Sequence, residues 1–321
     1  MLNCSKGRQE YTSAFAGDQH ARSVRTQNQR EKSLKRSFSV DPALSEQLFE
    51  LLDSVFPGVS EVAQNARDLG ASWESVSTPF VCFERGRPVS HVGVIELSLV
   101  LRGRIVKVGS IHGVATLSDC RRRGLFRKAM EAALEHCASR YETQILTTEH
   151  PEYFEPFGFR VVGEHVFTSK VDSESKGDGF RLIDPKEGGD VVLLHRLLET
   201  REPVSNVVGV VNEKAVFCFN EGSRTLQYSK DLDVIVCMEI EGTLLKLFDI
   251  AGPKLPALAD ILKRLPHRIE EVEICFSPDR LAVQATALPH LFDHDGPSYF
   301  MVRGPFAVEG EAFTLPRSAR T

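Results

Sequence analysis

The sequence predicts an α/β chain in two units: a mixed, mostly antiparallel sheet with one parallel strand-helix-strand crossover, then a second α+β unit. Three observations predict it. Strand-like runs at 79–83, 91–101 and 105–116 are separated only by turn signals. A helix-period segment at 126–137 stands between the last of them and another strand at 144–148. A polar, flexible stretch at 172–179 then divides the chain, and 321 residues of 42% hydrophobic content suffice for two modest cores.

Residues 1–36 are of a different kind. They hold eight Lys/Arg against three Asp/Glu, so the remainder carries −10 of a net −5. With few large aliphatics and no sustained period, the segment buries too little surface to offset its ordering entropy, and it reads as a disordered basic tail. An organelle-targeting or nucleic-acid-binding arm is the alternative that its arginines and serines raise, weakened by the three acids and the missing apolar face.

The first folded unit is expected over 37–171. A short strand at 37–40 leads to Asp41-Pro42, an N-cap followed by proline at the first helical position. Leu44, Leu48, Leu51, Leu52 and Val55 recur at spacings of three and four, one apolar helix face stopped by Pro57-Gly58. A second helix at 62–69 ends at Gly70. Turns at Glu84-Arg85-Gly86-Arg87 and Arg102-Gly103 make the next three strands an antiparallel meander. Phe126, Ala129, Met130, Ala133, Leu134 and Cys137 then mark a helix. A strand-helix-strand connection within one sheet is right-handed, so 105–116 and 144–148 should lie parallel. A short helix at 151–157 and a strand or hairpin at 159–171 complete the unit.

The second unit, 180–321, offers a helix at 190–199, strands around 207–219, 225–228, 233–240 and 243–249, a helix at 256–265 and a strand at 271–276. Its strand-helix-strand order over 243–276 repeats that of 105–148 and points to a degenerate second copy, although no residue pattern repeats. Gly252-Pro253-Lys254 stands where the first crossover has Arg121-Arg122-Arg123-Gly124, so no pyrophosphate site is expected there.

The chemistry concentrates at 113–130, a strand, a turn and a helix in direct succession. A helix N-terminus leaves backbone N–H groups unpaired and carries partial positive charge, so a glycine turn there cradles a diphosphate, and arginines before it add charge-assisted bonds. Arg121-x-x-Gly124 after Val114-Ala115-Thr116 resembles motif A of the GNAT acetyltransferases, Arg/Gln-x-x-Gly-x-Gly/Ala, with Phe126 in place of the usual small sixth residue. The triple-arginine form is similar to the Eis-like branch of that family. Downstream, His150-Pro151-Glu152-Tyr153-Phe154 and Phe157-Gly158-Phe159 resemble the His-Pro-x-Tyr-Tyr and Phe-Gly-Phe elements of bacterial acetyltransferases.

The resemblance implies a GNAT fold for 37–171 and an N-acetyltransferase that moves an acetyl group from acetyl-CoA, its co-substrate, to a primary amine of a small molecule or peptide. It implies that Arg121, Arg122, Arg123, Gly124, Leu125 and Phe126 hold the pyrophosphate, and that backbone groups of Val114, Ala115 and Thr116 pair with the pantetheine arm like an added strand. An amine is mostly protonated at neutral pH and must lose a proton before attack. Candidate bases are Glu96, His112, Glu149, His150 and, by analogy with Eis-like proteins, the carboxylate of Thr321. The family's acid tyrosine corresponds to Phe154; Tyr153, one residue earlier, is the substitute candidate, about 100° away on a helix. A CoA-binding sensor or scaffold without turnover is the alternative reading.

Other classes find less support. Seven scattered cysteines form neither a disulfide framework nor a zinc pattern, and they fit a reducing cytoplasm. His290, Asp293, His294 and Asp295 match no familiar zinc spacing, so no metal is expected. No run of about 18 apolar residues occurs, so no membrane partner is expected, and none in nucleic acid. Oligomeric state has no signal in the sequence.

Overall fold

The computed structural model describes residues 41–173, 177–293 and 297–321. The basic tail, the strand expected at 37–40, and His294 and Asp295 lie outside the described residues. Asp41 caps α1 (Pro42–Asp53), its Oδ1 accepting from Leu44 N at 3.1 Å, and Leu44, Leu48, Leu51 and Leu52 are buried along one face. α2 (Val59–Asp68) follows, and the single turn α3 (Trp73–Val76) places Trp73 inside. β1 (Ser77–Glu84), β2 (Arg87–Leu101) and β3 (Arg104–Thr116) form the expected meander. α4 (Leu125–Ala138) crosses to β4 (Gln144–Thr148), which runs parallel to β3.

Beyond β4, two successive 3-10 turns, Pro151–Tyr153 and Glu155–Phe157, replace the single short helix expected. β5 (Arg160–Val161), β6 (Glu164–Lys170) and β7 (Arg181–Leu182) precede α5 (Gly188–Glu199) and β8 (Val208–Val211). The strand expected over 207–219 stops at Val211 and gives way to α6 (Lys214–Glu221). The Glu213 carboxylate there accepts from the amides of Ala215 and Val216 at 3.0 and 3.4 Å. A continuous apolar run such as 215–219 carries no period of its own, and this cap decides for helix. β9 (Leu226–Ser229), β10 (Val234–Glu241), β11 (Leu244–Ala251), α7 (Leu258–Leu262) and β12 (Glu271–Ile274) follow, then β13 (Thr286–His290), β14 (Phe292–Asp293) and β15 (Pro297–Arg303), none of them among the expected strands.

The elements build two mixed sheets. The first has the order β1-β2-β3-β4-β15-β14, with β8 added to β2 and β5 to β15. The second has the order β13-β6-β12-β11-β10-β9-β7. Each holds an antiparallel set of strands leading to one parallel pair: β3 with β4 in the first, β11 with β12 in the second. The strand beyond each pair is exchanged. β6, expected to finish the first unit, pairs with β12, while β15, from the C-terminal part, pairs with β4. The boundary expected near 171 therefore does not separate the sheets, since each one borrows a strand from across it.

One apolar core lies between α1, α4 and the first sheet, including Leu48, Leu52, Ile95, Met130, Ala133, Phe300 and Phe313. A second is built on Val236, Leu245, Leu247, Ile261, Ile274 and Phe276. A third joins α2 to α5 and α6 through Ala66, Leu69, Leu197 and Phe217. No helix among the described residues is long and apolar enough to cross a membrane.

Candidate active site

α4 packs flat on the first sheet because Ala129, Met130, Ala133 and Cys137 form one fully buried stripe. Gly109 lets it come close: a Cβ there would stand 2.7 Å from Cδ2 of Tyr141 and 3.1 Å from Sγ of Cys137. The helix begins at Gly124, whose φ of +77° is costly for any residue with a Cβ. No side chain caps it, and a Cβ at Gly124 would meet nothing within 4 Å. The first helical bond is Lys128 N to Gly124 O at 3.0 Å, so the amides of Leu125, Phe126 and Arg127 precede the ladder at an open helix start.

The arginines around this start differ. All three are exposed, and Arg122 has a φ of +60°. Arg121 Nε donates to Thr116 O at 3.2 Å, tying the turn to the end of β3. Arg123 is paired through both terminal nitrogens with Glu84 of β1, at 3.1 and 2.5 Å. That pair is half exposed, so it is weak and a competing phosphate can displace it.

β3 and β4 pair only at Gly109 with Gln144 and at Ser110 with Ile145, although β3 continues to Thr116 and β4 to Thr148. Beyond these two positions the strands part. The β3 arm of this fork carries Gly113, Val114 and Thr116, all half-buried, and β3 bulges there, Gly113 and Val114 standing opposite the single β2 residue Val92. Gly113 takes a φ of +56°, and its carbonyl oxygen lies 2.6 Å from His91 Nδ1. The fork and the open start of α4 are joined by residues 117–124.

The sequence-predicted acid-base residues fall in different places. Thr321 stands at the fork: its main-chain oxygen accepts from Thr147 Oγ1 of β4 at 2.9 Å, and its hydroxyl meets Ser110 Oγ of β3. Ser110 and Thr147 share the face opposite α4, because Ser110 pairs with Ile145 and side chains alternate along a strand. Glu96 pairs with Gly109 and so lies on the α4 face, held by Lys107 Nζ at 2.6 Å and the Tyr141 hydroxyl at 3.1 Å. Lys107 in particular keeps its carboxyl below the ordinary range.

Glu149 and His150 are exposed just past the β4 arm, His150 being 3.2 Å from Glu152. Tyr153 is 55% exposed and its ring neighbours His150, whereas Phe154 is buried edge-on against Phe126 and Phe159. The turn therefore points Phe154 inward and Tyr153 outward. His112 lies on the Ser110 face, with Nε2 2.9 Å from Ser77 Oγ and its ring against Trp73. Burial, and then the neighbouring His91, push its pKa well below the ordinary value.

Residues 39–162 match the model of the acetyltransferase (GNAT) domain. This part of the chain is a GNAT acetyltransferase domain. Among solved structures, the chain is similar to a conserved protein of unknown function from Enterococcus faecalis, described as a probable N-acyltransferase, at 14% identity and a TM-score of 0.55. That match covers 84% of this chain and 71% of that one. Eis1 from Mycobacterium abscessus matches at 12% identity and a TM-score of 0.51, over 82% of this chain and 71% of its own. A GCN5-related N-acetyltransferase from Anabaena variabilis matches at 15% identity, a TM-score of 0.51 and the same coverages. At these identities the likeness is one of fold, and its coverage extends beyond the GNAT domain into the second sheet. A comparison with curated protein sequences found no match.

Two parts of the site were beyond sequence reasoning. Ser110 and Thr147 have no motif, and only the sheet register brings them to one face of the fork. The other is the run 317–320 before Thr321, whose polar groups bond Glu221, Asp249 and Glu164. The second fork differs from the first. β11 and β12 pair over 244–247 and 271–274 and then part, but Arg201 Nη2 donates to Ile250 O at 3.3 Å and Glu202 N to Gly252 O at 2.8 Å. The chain's own segment fills that gap.

Proposed function

We propose that the chain is an acyl-CoA-dependent N-acetyltransferase that moves an acetyl group from acetyl-CoA to a primary amine, of a small molecule or of a peptide. The observation that carries this reading is the fork: two parallel strands bonded at only two positions, opening beside a glycine-capped, uncapped-by-side-chain helix start. Arg121, Arg122 and the amides of Gly124, Leu125 and Phe126 hold the pyrophosphate, with Arg123 released from Glu84 to join them. The main chain of Val114, Ala115 and Thr116 bonds the pantetheine arm as an added strand, which sets the thioester carbonyl near Gly113.

Glu149, at the mouth of the β4 arm, accepts the proton that the amine loses, directly or through water. The amine nitrogen bonds the carbonyl carbon, the C–S bond breaks, and the thiolate, with an ordinary thiol pKa of about 8.5, then takes a proton. Glu96 stays engaged on the other face with Lys107 and Tyr141. Tyr153 faces outward and rims the entrance.

Calorimetry with acetyl-CoA, followed by a thiol-release assay across a panel of metabolite and peptide amines, tests the reading. Binding together with amine-dependent thiol release is the expected result, and absence of acetyl-CoA binding sinks it. A second reading, a CoA-binding module without turnover, is favoured by one observation: the buried, non-ionisable Phe154 stands where an acid tyrosine would be. Tight binding with no thiol release from any amine decides for it.

A further inference from the structure

Gly113 is the point at which β3 leaves regular pairing. Gly113 and Val114 stand opposite the single β2 residue Val92, and the φ of +56° at Gly113 is one that glycine adopts freely and other residues rarely do. His91 of β2 is fully buried, and its Nδ1 lies 2.6 Å from the Gly113 carbonyl oxygen. That oxygen can only accept, so Nδ1 carries the proton and donates. A Cβ at Gly113 would stand 3.3 Å from Cε1 of His91 and 3.5 Å from Cδ2 of Leu52, so the imidazole and α1 pack directly on the bulged residue. Two further bonds hold the strand on the far side of the bulge: Ser90 Oγ with Thr116 Oγ1 at 2.8 Å, and Leu117 N to Val89 O at 3.0 Å.

A trans peptide unit is planar, so fixing the carbonyl of Gly113 also fixes the N–H of Val114, which points the opposite way. His91 stands on β2, and β4 lies on the other side of β3. We propose that His91 is a positioning residue for acyl transfer: by holding the Gly113 carbonyl it turns the Val114 amide toward the fork, where that amide donates to the thioester oxygen. This rests on the acyl-transfer reading above and adds to it the group that steadies the reacting carbonyl. As the amine nitrogen bonds the carbonyl carbon, the C=O π pair moves onto oxygen, and it returns when the C–S bond breaks and the thiolate leaves. A donor already aimed at that oxygen needs no reorganisation while the charge develops. Without the imidazole, a glycine peptide is free to turn, and the donor loses its aim.

The experiment uses the full chain. His91→Leu and His91→Met fill the same buried space without an N–H to give, and His91→Gln keeps one. In the first two kcat should fall about tenfold or more, since complete loss of such a donor costs about 100-fold or more. His91→Gln should stay within about threefold of wild type, and the calorimetric Kd for acetyl-CoA within about twofold in all three, because none touches the α4 start. The infrared band of bound acetyl-CoA, isotope-labelled at its carbonyl carbon, reads the donor without turnover. It should lie lower in wild type and His91→Gln than in the two apolar variants, a difference that loss of folded protein alone does not produce. An unmoved band with normal kcat in a folded apolar variant overturns the role of His91 while leaving acyl transfer standing. Absence of thiol release from the wild-type chain with any amine overturns the acyl-transfer reading and the positioning role with it. Should both apolar variants misfold, the wild-type band decides by itself: a position no lower than that of free acetyl-CoA overturns the proposal.

Discussion

Both sheets part along a parallel strand pair joined by a helix, yet only the first leaves the gap open. In the first, Arg121-Arg122-Arg123-Gly124 leads into a 14-residue helix whose starting amides no side chain caps. In the second, Gly252-Pro253-Lys254-Leu255-Pro256 leads into a helix of five residues. A short helix has little dipole, and each proline lacks an N–H to offer an anion. The second gap is then closed by Arg201 and Glu202, whose bonds to Ile250 O and Gly252 O occupy β11 backbone that a ligand would need. The difference teaches that a shared topology sets where a site can be, while a few residues at the crossover set whether it is one.

The comparison breaks most sharply at Arg201. Its side chain is 1% exposed and that of Asp249 is 0%, so Arg201→Ala leaves a buried carboxylate with only Ser318 and its own neighbouring amide. The expected loss is about 3 kcal/mol or more, read as a lower denaturation midpoint. Arg123→Ala at the open fork, where the pair with Glu84 is half exposed, should cost less than about 1 kcal/mol. Equal losses at the two positions would show that the second fork is not plugged as described.

Acid should find the first fork before the second. His91, beside the β3 bulge, is buried and its pKa is lowered to about 4, chiefly by desolvation, against 6.5 in the unfolded chain. The neutral form is the native one, so its contribution is fully present above pH 6.5 and is lost as pH falls towards 4. At roughly 1.4 kcal/mol per pH unit this is worth about 3 kcal/mol, and His112, 6.1 Å away, shifts in the same direction. Trp73, the single tryptophan, packs on His112 and reports this unit by fluorescence. Denaturation followed at Trp73 should weaken steadily between pH 6.5 and 4, with a shallower slope in His91→Gln; an unchanged slope refutes the assignment.

What the sequence showed and what it hid divide along the same line. The open fork was legible because its signals are local: the Arg-x-x-Gly turn, the period of 126–137 and the strands on either side. The exchange of β6 and β15 was not, because a strand pattern declares a strand but not its partner, and the register is settled by residues far along the chain. The segment behind Thr321 was hidden more deeply. No local pattern marks Arg317 and Arg320 for burial, yet both are buried against carboxylates 96 and 156 residues away. Thr321 itself was reachable by analogy, without the buried bonds of the residues before it.

Next in size is the helix start. Gly124→Asp puts a Cβ on a left-handed residue and a negative charge at the proposed pyrophosphate site, so acetyl-CoA affinity should fall about 100-fold by calorimetry. The matching change at the start of α7, Ala257→Asp, should leave affinity within about twofold, since no anion is expected there. A loss from both changes, or from neither, would mean that the two helix starts do not differ in function.

The smallest effect is expected at Tyr153, and it sharpens the reading of the first fork. Tyr153 and Phe154 are neighbours, but Phe154 is 5% exposed against Phe126 and Phe159, while Tyr153 is 55% exposed beside His150. A phenol that protonates a leaving thiolate must come within hydrogen-bond reach of the sulfur, and an outward ring does not. Tyr153→Phe should therefore change kcat by less than about threefold, where loss of a true general acid typically costs about 100-fold. A fall of that larger size would show that the 151–157 turns rearrange on binding to swing Tyr153 into the fork, and the outward rim role proposed for it would be wrong.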